Sequence, residues 1–374
     1  MKRFLAILKK EFRQIGRDPL SLGLLVVVPA LLLVLYGYAL SFDVKHIPVA
    51  VLDGDRTQES RVLLDGLFQN PYFDRVHELS RPSEADDILC RGEARAVLVV
   101  PAGYAAKLAR GETAEVQFLV DGAEANAASA AAGYLEALVD RTTRRVRVEA
   151  LRRAGASLSL PVVVTEPRIW FNPELNSAKF LVPGLIAMLL MLSAAITTCL
   201  SIVREKEQET IEQMMVSPVR PAELVLGKTL PYVVIGFLTM ILILVVGRIL
   251  FDIRVQGSYL LLAFTTLVFL FAALSWGILI SSITRSQQTA FTVAVITSLL
   301  PSIILSGLIF PIHNMPAPIQ VVTYIVVPRY FVSALREIIL KGASFAVVWR
   351  DFACMLLLGM IFTLLAVRTT RKAV

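Results

Sequence analysis

The chain has 374 residues, of which 56% are hydrophobic and only 18% are charged, and its mean hydropathy is +0.68. A soluble globular domain is about a quarter charged, so this apolar excess needs lipid to cover it. The composition therefore excludes an ordinary soluble protein.

The net charge of +7 is unevenly distributed along the chain. Residues 1–19 and the tail from Arg368 are basic, whereas the polar stretch 42–176 is acidic overall. Basic segments that flank membrane spans stay on the cytoplasmic side. The basic ends therefore predict cytoplasmic termini rather than a nucleic-acid surface. The three cysteines and three histidines show no disulfide or metal-ligand spacing, so we expect no metal site.

Residues 1–19 predict an amphipathic helix that lies in the membrane interface. Its apolar positions recur at helical spacing and are Phe4, Leu5, Leu8, Phe12 and Ile15. Its cationic positions are Lys9, Lys10, Arg13 and Arg17. Helices of this kind lie on anionic leaflets, and Asp18-Pro19 ends this one before the first span. A simple basic leader that sets the topology is the alternative interpretation.

Six apolar runs are long enough to cross a bilayer, which takes about 20 helical residues at about 1.5 Å each. They are residues 20–41, 179–203, 229–251, 258–283, 289–310 and 348–367. We therefore predict a polytopic α-helical membrane protein in which the loop 204–228 and the tail 368–374 are cytoplasmic. Basic residues near the predicted outer ends of the later spans run against the positive-inside rule.

Between the first two spans, residues 42–176 alternate strand-like and helix-like patterns. The predicted strands are residues 47–53, 95–100, 114–120 and 162–169, and the predicted helices are residues 56–69 and 123–154. This alternation predicts a small α/β domain inserted between the spans, on the extracytoplasmic side.

The charged segment 204–228 follows the second span directly. Its first half is rich in Glu and continues a helix, and Pro218 and Pro221 force a corner before a second helix enters the third span. A helix, a corner and a helix form a shape that docks into a groove of a soluble partner. A Met-bearing edge with flanking charges suits a contact that shifts during a cycle. A plain solvated loop is the alternative.

This segment resembles the coupling region of ABC-2 type transporter permeases, the transmembrane subunits of ATP-binding-cassette (ABC) exporters. The family pattern is a Glu/Arg-rich stretch, then Thr-hydrophobic-Glu-Gln, a Pro-bearing turn and Gly-Lys, which is Gly227-Lys228 here. The resemblance implies that the ATPase subunit is contacted by Arg204, Glu205, Glu207, Glu209, Thr210, Glu212, Gln213, Met214, Pro218 and Arg220. Glu209 stands where the family often has glycine.

A second segment, residues 311–347, resembles the re-entrant outer helices that this family has between its fifth and sixth spans. In this segment and just before it, the resemblance points to Gly307, Phe310, Pro311, Pro316, Pro328 and Arg336. Residues 1–19 resemble the family's elbow helix. The outer domain resembles that of the subgroup with a large periplasmic domain, which includes multidrug-type exporters.

The resemblance implies that ATP and Mg²⁺ act in a separate ABC ATPase subunit, so this chain is not itself an enzyme. It also implies a homodimer or a heterodimer with a paralogous permease in the bacterial inner membrane, and a periplasmic adaptor as a further partner by analogy. Gly227-Lys228-Thr229 looks like the end of a phosphate-binding loop. That loop needs a glycine five residues before its Gly-Lys pair, where this chain has Ala222.

Two other functions compete with an exporter of hydrophobic, drug-like or lipid-like compounds. An ion-coupled secondary transporter needs ionisable groups inside its spans, and the predicted span cores hold almost none. A receptor or adhesin that works through the outer domain would not need the structured corner at residues 204–228. Association with an ATP-hydrolysing subunit distinguishes the exporter from both.

Overall fold

The structure, a computed structural model, describes residues 2–17, 19–39, 46–69, 72–123, 125–153, 170–172, 176–208 and 221–372. The chain divides into two compact units. One unit, the helical unit, comprises Met1–Ser41 and Arg168–Val374, and the other, the sheet unit, comprises Phe42–Pro167.

The described helices, in chain order, are α1 (Lys2–Gly16), α2 (Pro19–Ala39), α3 (Gln58–Phe68), α4 (Ser83–Arg91), α5 (Tyr104–Ala109), α6 (Ala125–Arg153), α7 (Ser177–Glu207), α8 (Pro221–Phe251), α9 (Tyr259–Ile283), α10 (Gln287–Ile304), α11 (Ala317–Val322), α12 (Val327–Lys341) and α13 (Phe345–Lys372). The strands are β1 (Ile47–Asp53), β2 (Phe73–Glu78), β3 (Ala96–Val100) and β4 (Gln117–Val120). Two short 3₁₀ helices, Ile312–Asn314 and Thr323–Ile325, flank α11.

Five or six stretches of the described helices are long and apolar enough to cross a membrane. The five single stretches are Ser177–Glu207, Gly227–Phe251, Tyr259–Ile283, Gln287–Ile304 and Phe345–Thr369. Ala317–Ile325 and Val327–Lys341 qualify only as a pair, which is bent by 89°. Helix α2 occupies the first predicted span, but its described part contributes only the shorter apolar helix Val26–Ala39. The chain is thus mostly helical, as a polytopic membrane protein is, and a count of six spans stays a prediction.

Helix α7 is the central helix of the helical unit. The run Leu181–Met191 is buried along its whole length, because α2, α8, α9, α10 and α12 all pack on α7. A buried aromatic pair joins the neighbours, with the rings of Phe269 in α9 and Phe331 in α12 stacked 4.0 Å apart. Helix α10 ends at Ile304, before the predicted end at residue 310, since Gly307 has a φ of +82° that a right-handed helix cannot contain.

The sheet unit has a four-stranded sheet in the order β2-β1-β3-β4. Strand β1 is parallel to both β2 and β3, and β4 is antiparallel to β3. One face packs on α3 and α6, and the other face packs on α4. Strand β1 lies where the sequence places a strand, whereas the predicted strand 162–169 lies outside the described residues. Strand β2 has no apolar alternation, because five of its six residues are exposed at the sheet edge.

Candidate functional site: a buried ion cluster beside the coupling segment

Three helix segments meet where α7 ends and α8 begins, on either side of residues 209–220. The third segment is α1, which packs along α8. The approach of α1 to α8 is close at Gly227, where an added Cβ would lie 2.9 Å from Cγ2 of Ile7. Only glycine lets the two helices lie this close without a shift of Ile7.

A cluster of four charged side chains, three of them buried, is called here the ion cluster and joins these three helices. It consists of Lys10 and Glu11 of α1, Glu205 of α7 and Lys228 of α8. The Lys10 Nζ atom donates to Glu205 Oε1 at 3.2 Å, and Lys228 Nζ donates to Glu205 Oε2. The Lys10 Nζ atom also lies 4.0 Å from Glu11 Oε1. Glu205, Glu11 and Lys228 are 7%, 2% and 6% exposed, whereas Lys10 is exposed, and the four side chains carry two positive and two negative charges.

The balance of charge explains why these groups can be buried. A buried carboxylate without a partner is costly, and the loss of one member of a buried ion pair leaves an uncompensated charge behind. Each of the three helices supplies at least one member of the ion cluster. Displacing α7 or α8 would break the buried pair of Glu205 and Lys228, and displacing α1 would take Lys10 away from Glu205, so the cluster ties the three helices together.

The last turn of α7 contacts a different neighbour at each of three consecutive residues. Glu205 pairs with α1 and α8, as described above. Lys206 donates to the carbonyl oxygen of Ser281 at the end of α9. Glu207 accepts from the backbone N–H of Gln287 at 2.8 Å, at the start of α10, and also from its side-chain amide. The turn that leads into residues 209–220 is thus joined by polar contacts to four helices.

At the opposite ends of these helices, Arg336 of α12 holds a second polar junction. Its guanidinium donates to the carbonyl oxygens of Phe180, at 3.2 Å, and of Leu308, at 3.3 Å. It also stacks over the Phe180 ring, with 3.8 Å from Cζ to the ring centroid. Leu308 lies against Gly184 of α7, where an added Cβ would be 2.8 Å from Leu308 Cγ. Arg336 therefore joins the segment after α10 to the start of α7.

A family model described as ABC-2 family transporter protein matches residues 20–368, which is most of the chain. The chain belongs to the ABC-2 family of transporter proteins. It is 36% identical to the probable multidrug ABC transporter permease YbhS of Escherichia coli over 344 residues, which are 91% of this chain and 89% of YbhS. It is 31% identical to the probable multidrug ABC transporter permease YbhR of the same organism, over 93% of each chain. The linearmycin resistance permease protein LnrN of Bacillus subtilis is 24% identical over 92% of each chain.

The structure of this ABC-2 permease includes three of the residues assigned to the ATPase contact. Glu205 is buried in the ion cluster, Glu207 is exposed and bonded to Gln287, and Arg204 is exposed. The other assigned residues lie outside the described part of the chain: Glu209, Thr210, Glu212, Gln213, Met214, Pro218 and Arg220. Their role as an ATPase contact stays a prediction.

Helix α1, the predicted interfacial helix, presents two faces with different surroundings. Phe4 and Ile7 face Gly227 of α8 and Glu11 is buried, whereas Leu5 and Phe12 are 52% and 41% exposed. Lys9, Lys10 and Arg13 are exposed too, although Lys10 reaches Glu205. The apolar positions predicted for this helix are therefore divided between two environments. Phe4 lies against Gly227, whereas Leu5 and Phe12 are exposed, and the tight contact with α8 is made by Ile7.

The outer-segment residues that the sequence singled out are spread over several elements. Gly307 and Pro328 are buried, Phe310 is 61% exposed and Pro311 is half-buried, while Pro316 is the exposed residue before α11. Among them, Arg336 makes the polar contacts described above. The structure brings Arg336 together with Leu308, next to Gly307, and leaves Phe310 and Pro316 on the surface.

Sequence reasoning missed Glu11 and did not assign Lys228 to the site. Glu11 follows Phe4 and Ile7 at intervals of three and four residues, so a carboxylate on an otherwise apolar stripe was the available signal. Lys228 resembled a phosphate-loop lysine. The structure instead has Gly227-Lys228-Thr229 inside α8, where Lys228 faces Glu205. Within the described ranges, three or more His, Cys, Asp or Glu side chains nowhere converge as metal ligands would.

Proposed function

We propose that this permease is the transmembrane subunit of an ABC exporter. In this proposal it moves hydrophobic, drug-like or lipid-like compounds out of the cytoplasm or the inner leaflet. YbhS and YbhR are named as probable multidrug permeases, and LnrN is named as a linearmycin resistance permease. These names support this substrate class. The chain works as a homodimer or with a paralogous permease in the bacterial inner membrane, with both termini in the cytoplasm. A separate ABC ATPase subunit binds ATP and Mg²⁺.

The coupling segment 204–228 is the proposed contact with that ATPase. The observation that carries this proposal is the last turn of α7, where Glu205, Lys206 and Glu207 each contact a different neighbouring helix. A force applied to residues 209–220 must enter the membrane helices through this turn and through the start of α8. Both ends of the segment are fixed by Glu205 and Lys228, which pair with each other.

Transport follows if the two states of the ATPase place residues 209–220 differently. Coupling needs contacts that differ between two states, because a ligand shifts an equilibrium only by its differential affinity. When the ATPase subunits close on ATP, the segment moves. Helices α1, α7 and α8 move with it as one block, because separating them would break the ion pairs that Glu205 forms with Lys10 and Lys228. Helices α9 and α10 follow through Ser281 and Gln287.

The proposed extracytoplasmic domain, of the subgroup with a large periplasmic domain, comprises residues 42–176, which include the sheet unit. Its partner in this proposal is a periplasmic adaptor protein. The long net-acidic polar stretch, set between two apolar helices, supports an outer location. The outer segment 311–347, which includes the bent pair of helices, lies on the same side in this scheme.

Co-purification tests the proposed function directly. The tagged full chain is expressed with a candidate ABC ATPase subunit from the same genome, solubilised and captured, and the ATP hydrolysis of the captured complex is measured. We expect the ATPase to be captured, and we expect charge reversal at Glu205, Glu209 and Glu212 to stop efflux of an apolar dye. Asp252→Lys is the matched control, because Asp252 is an exposed carboxylate at the other end of α8. Absence of an ATP-hydrolysing partner, with efflux intact after charge reversal, would refute the proposal.

A further inference from the structure

An open cavity of about 560 Å³ lies where α9 and α13 begin, beside the loop that joins α12 to α13. Its lining is mostly apolar and includes Leu260, Leu261, Phe264, Ala343, Phe345 and Phe352. A cavity of this volume is within the range of small-ligand sites. It lies where α9 starts, whereas the ion cluster lies near the end of α9, since Lys206, next to Glu205, contacts Ser281.

Backbone contacts join the two segments that flank this cavity, one before α9 and one at the end of α12. The N–H of Gln256 donates to the carbonyl oxygen of Ile339 at 3.0 Å, next to Gly257. A Cβ at Gly257 would lie 2.7 Å from the carbonyl oxygen of Ile338, so the two segments touch through their main chains. Gly342 ends α12 with a φ of +66°, and the N–H of Ala343 donates to the carbonyl oxygen of Glu337 at 3.0 Å. The two segments that flank the cavity are therefore held together by main-chain contacts, and apolar side chains of α9 and α13 line it.

The surroundings of the cavity determine what can enter it. Leu260, Phe264 and Phe345 are 69%, 55% and 53% exposed, and they lie on two helices that are long and apolar enough to span a membrane. Apolar cavities stay dry and bind apolar molecules instead of water. On the surface of a membrane span, the apolar molecules at hand are lipid acyl chains.

We propose that this cavity binds one acyl chain of a membrane phospholipid. Its lining offers the hydroxyl groups of Ser258 and Ser344 and no charged side chain, which argues against a charged ligand. A bound chain contacts both Phe264 of α9 and Phe345 of α13, on either side of the joint at Gly342. It therefore fills a gap in the packing at the point where the bent outer segment meets the last span. This inference depends on the membrane location of α9 and α13 and not on the exporter function.

Photocrosslinking tests the proposal on the full chain. The permease is placed in nanodiscs of phosphatidylethanolamine and phosphatidylglycerol, together with a phospholipid that carries a diazirine on one acyl chain. Adducts are located by mass spectrometry after illumination. Leu260 and Ile249 form a matched pair, because each is an aliphatic residue near the α8–α9 connection and they are 69% and 73% exposed. Only Leu260 lines the cavity.

We expect a severalfold excess of adducts at Leu260, Phe264 and Phe345 over Ile249. Ala343→Trp fills the cavity and should remove that excess, whereas Ala346→Trp, at an exposed position beside the cavity, should leave it unchanged. Equal adduct yields at Leu260 and Ile249 in the wild-type protein would overturn the proposal, because the cavity would then be ordinary lipid-facing surface. This comparison within the wild-type chain stands even if Ala343→Trp does not fold.

Discussion

The carboxylate of Glu205 accepts hydrogen bonds from the ammonium groups of Lys10 and Lys228, and Glu205 is nearly closed to solvent. A buried ion pair of this kind affects stability more than a surface ion pair does, whose contribution to stability is small. The cost of removing one partner from a buried pair is largely the cost of the charge that remains. A stability measurement can therefore distinguish the loss of a contact from the creation of an unpaired charge.

Lys228→Met should lower the free energy of unfolding by about 3 kcal/mol, the lower end of the range for breaking a buried pair, because Lys10 still faces Glu205. Glu205→Gln together with Lys228→Met removes one charge of each sign and should cost less than Lys228→Met alone. Thermal unfolding of the detergent-solubilised chain measures Lys228→Met, Glu205→Gln and the double variant. Strict additivity of the two substitutions would show that Glu205 and Lys228 do not interact.

We expect Arg336→Lys to destabilise the protein, although lysine keeps the positive charge. Its guanidinium donates to two carbonyl oxygens and stacks on Phe180, and an ammonium group cannot reproduce that planar geometry. Arg336→Lys should cost about 1–2 kcal/mol of stability from the lost stacking and hydrogen bonding. Arg254→Lys is the control, because Arg254 is exposed and pairs with Asp252. A melting temperature lowered equally by both variants would contradict this role of Arg336.

Two glycines, one where α9 crosses α7 and one where α8 crosses α9, illustrate how the long apolar helices pack. A Cβ at Gly277 would lie 2.8 Å from the backbone oxygen of Ala195 in α7, whereas a Cβ at Gly236 of α8 would meet only the end of the Leu270 side chain, also at 2.8 Å. A backbone oxygen cannot move aside without moving its helix, but a leucine methyl group can rotate. The same distance therefore has different consequences at the two crossings.

Gly277→Ala should accordingly lower the melting temperature of the permease. Gly236→Ala should leave the melting temperature nearly unchanged, since alanine favours helix over glycine by about 1 kcal/mol and offsets the movement of Leu270. Both single variants are compared with the wild type by thermal unfolding in the same detergent. The packing explanation fails if Gly236→Ala proves as harmful as Gly277→Ala.

In the sheet unit, Asp55 fixes the start of α5 after β1 ends. Its carboxylate accepts from Thr57 Oγ1 at 2.6 Å and from the N–H groups of Gly103 at 2.8 Å and Ala105 at 3.0 Å. The hydrogen bond from Thr57 is the largest of the causes that hold the pKa of Asp55 below its usual value, and the backbone donors add to it. The contribution to stability is thus present above the unfolded-state pKa of about 3.9 and is lost as the pH falls through the folded-state value.

Asp55→Asn should therefore destabilise the protein at neutral pH by an amount that shrinks as the solution is acidified below about pH 4. The reason is that the wild-type carboxylate becomes protonated there, and the two proteins then carry the same charge at this position. The measurement is the difference in melting temperature between wild type and variant across a pH series. A difference that stays constant or widens on acidification would show that the ionised form of Asp55 is not the stabilising one.

The apolar runs located the long apolar helices, because hydropathy identifies the segments that need lipid. The four later helices α8, α9, α10 and α13 overlap predicted spans, although α10 ends at Ile304, before its apolar run does. Strand β2 was not predictable in this way, because Phe-Asp-Arg-Val-His-Glu has no apolar period and depends on pairing with β1. The partners of Glu205 could not be predicted either, since Lys10 and Glu205 are 195 positions apart.

On the scale of the whole molecule, the helical unit has a polar junction at each end of α7. The ion cluster and the bonds of Lys206 and Glu207 lie at its C-terminal end, and the contacts of Arg336 lie near its N-terminal end. The apolar middle of α7 is buried between them. A permease driven by an external ATPase needs a rigid element that carries movement from one side of the membrane to the other, and α7 has the contacts for that role.

The central claim is that the ion cluster transmits the movement of residues 209–220 to the membrane helices. The most direct test is the amount of apolar dye exported per ATP hydrolysed, in proteoliposomes that contain the permease and its ATPase. The claim predicts that Glu205→Gln still binds the ATPase and supports hydrolysis while export per ATP falls several-fold. Asp252→Asn, at an exposed carboxylate on the other end of α8, should match the wild type. Export per ATP that is unchanged in Glu205→Gln would contradict the claim.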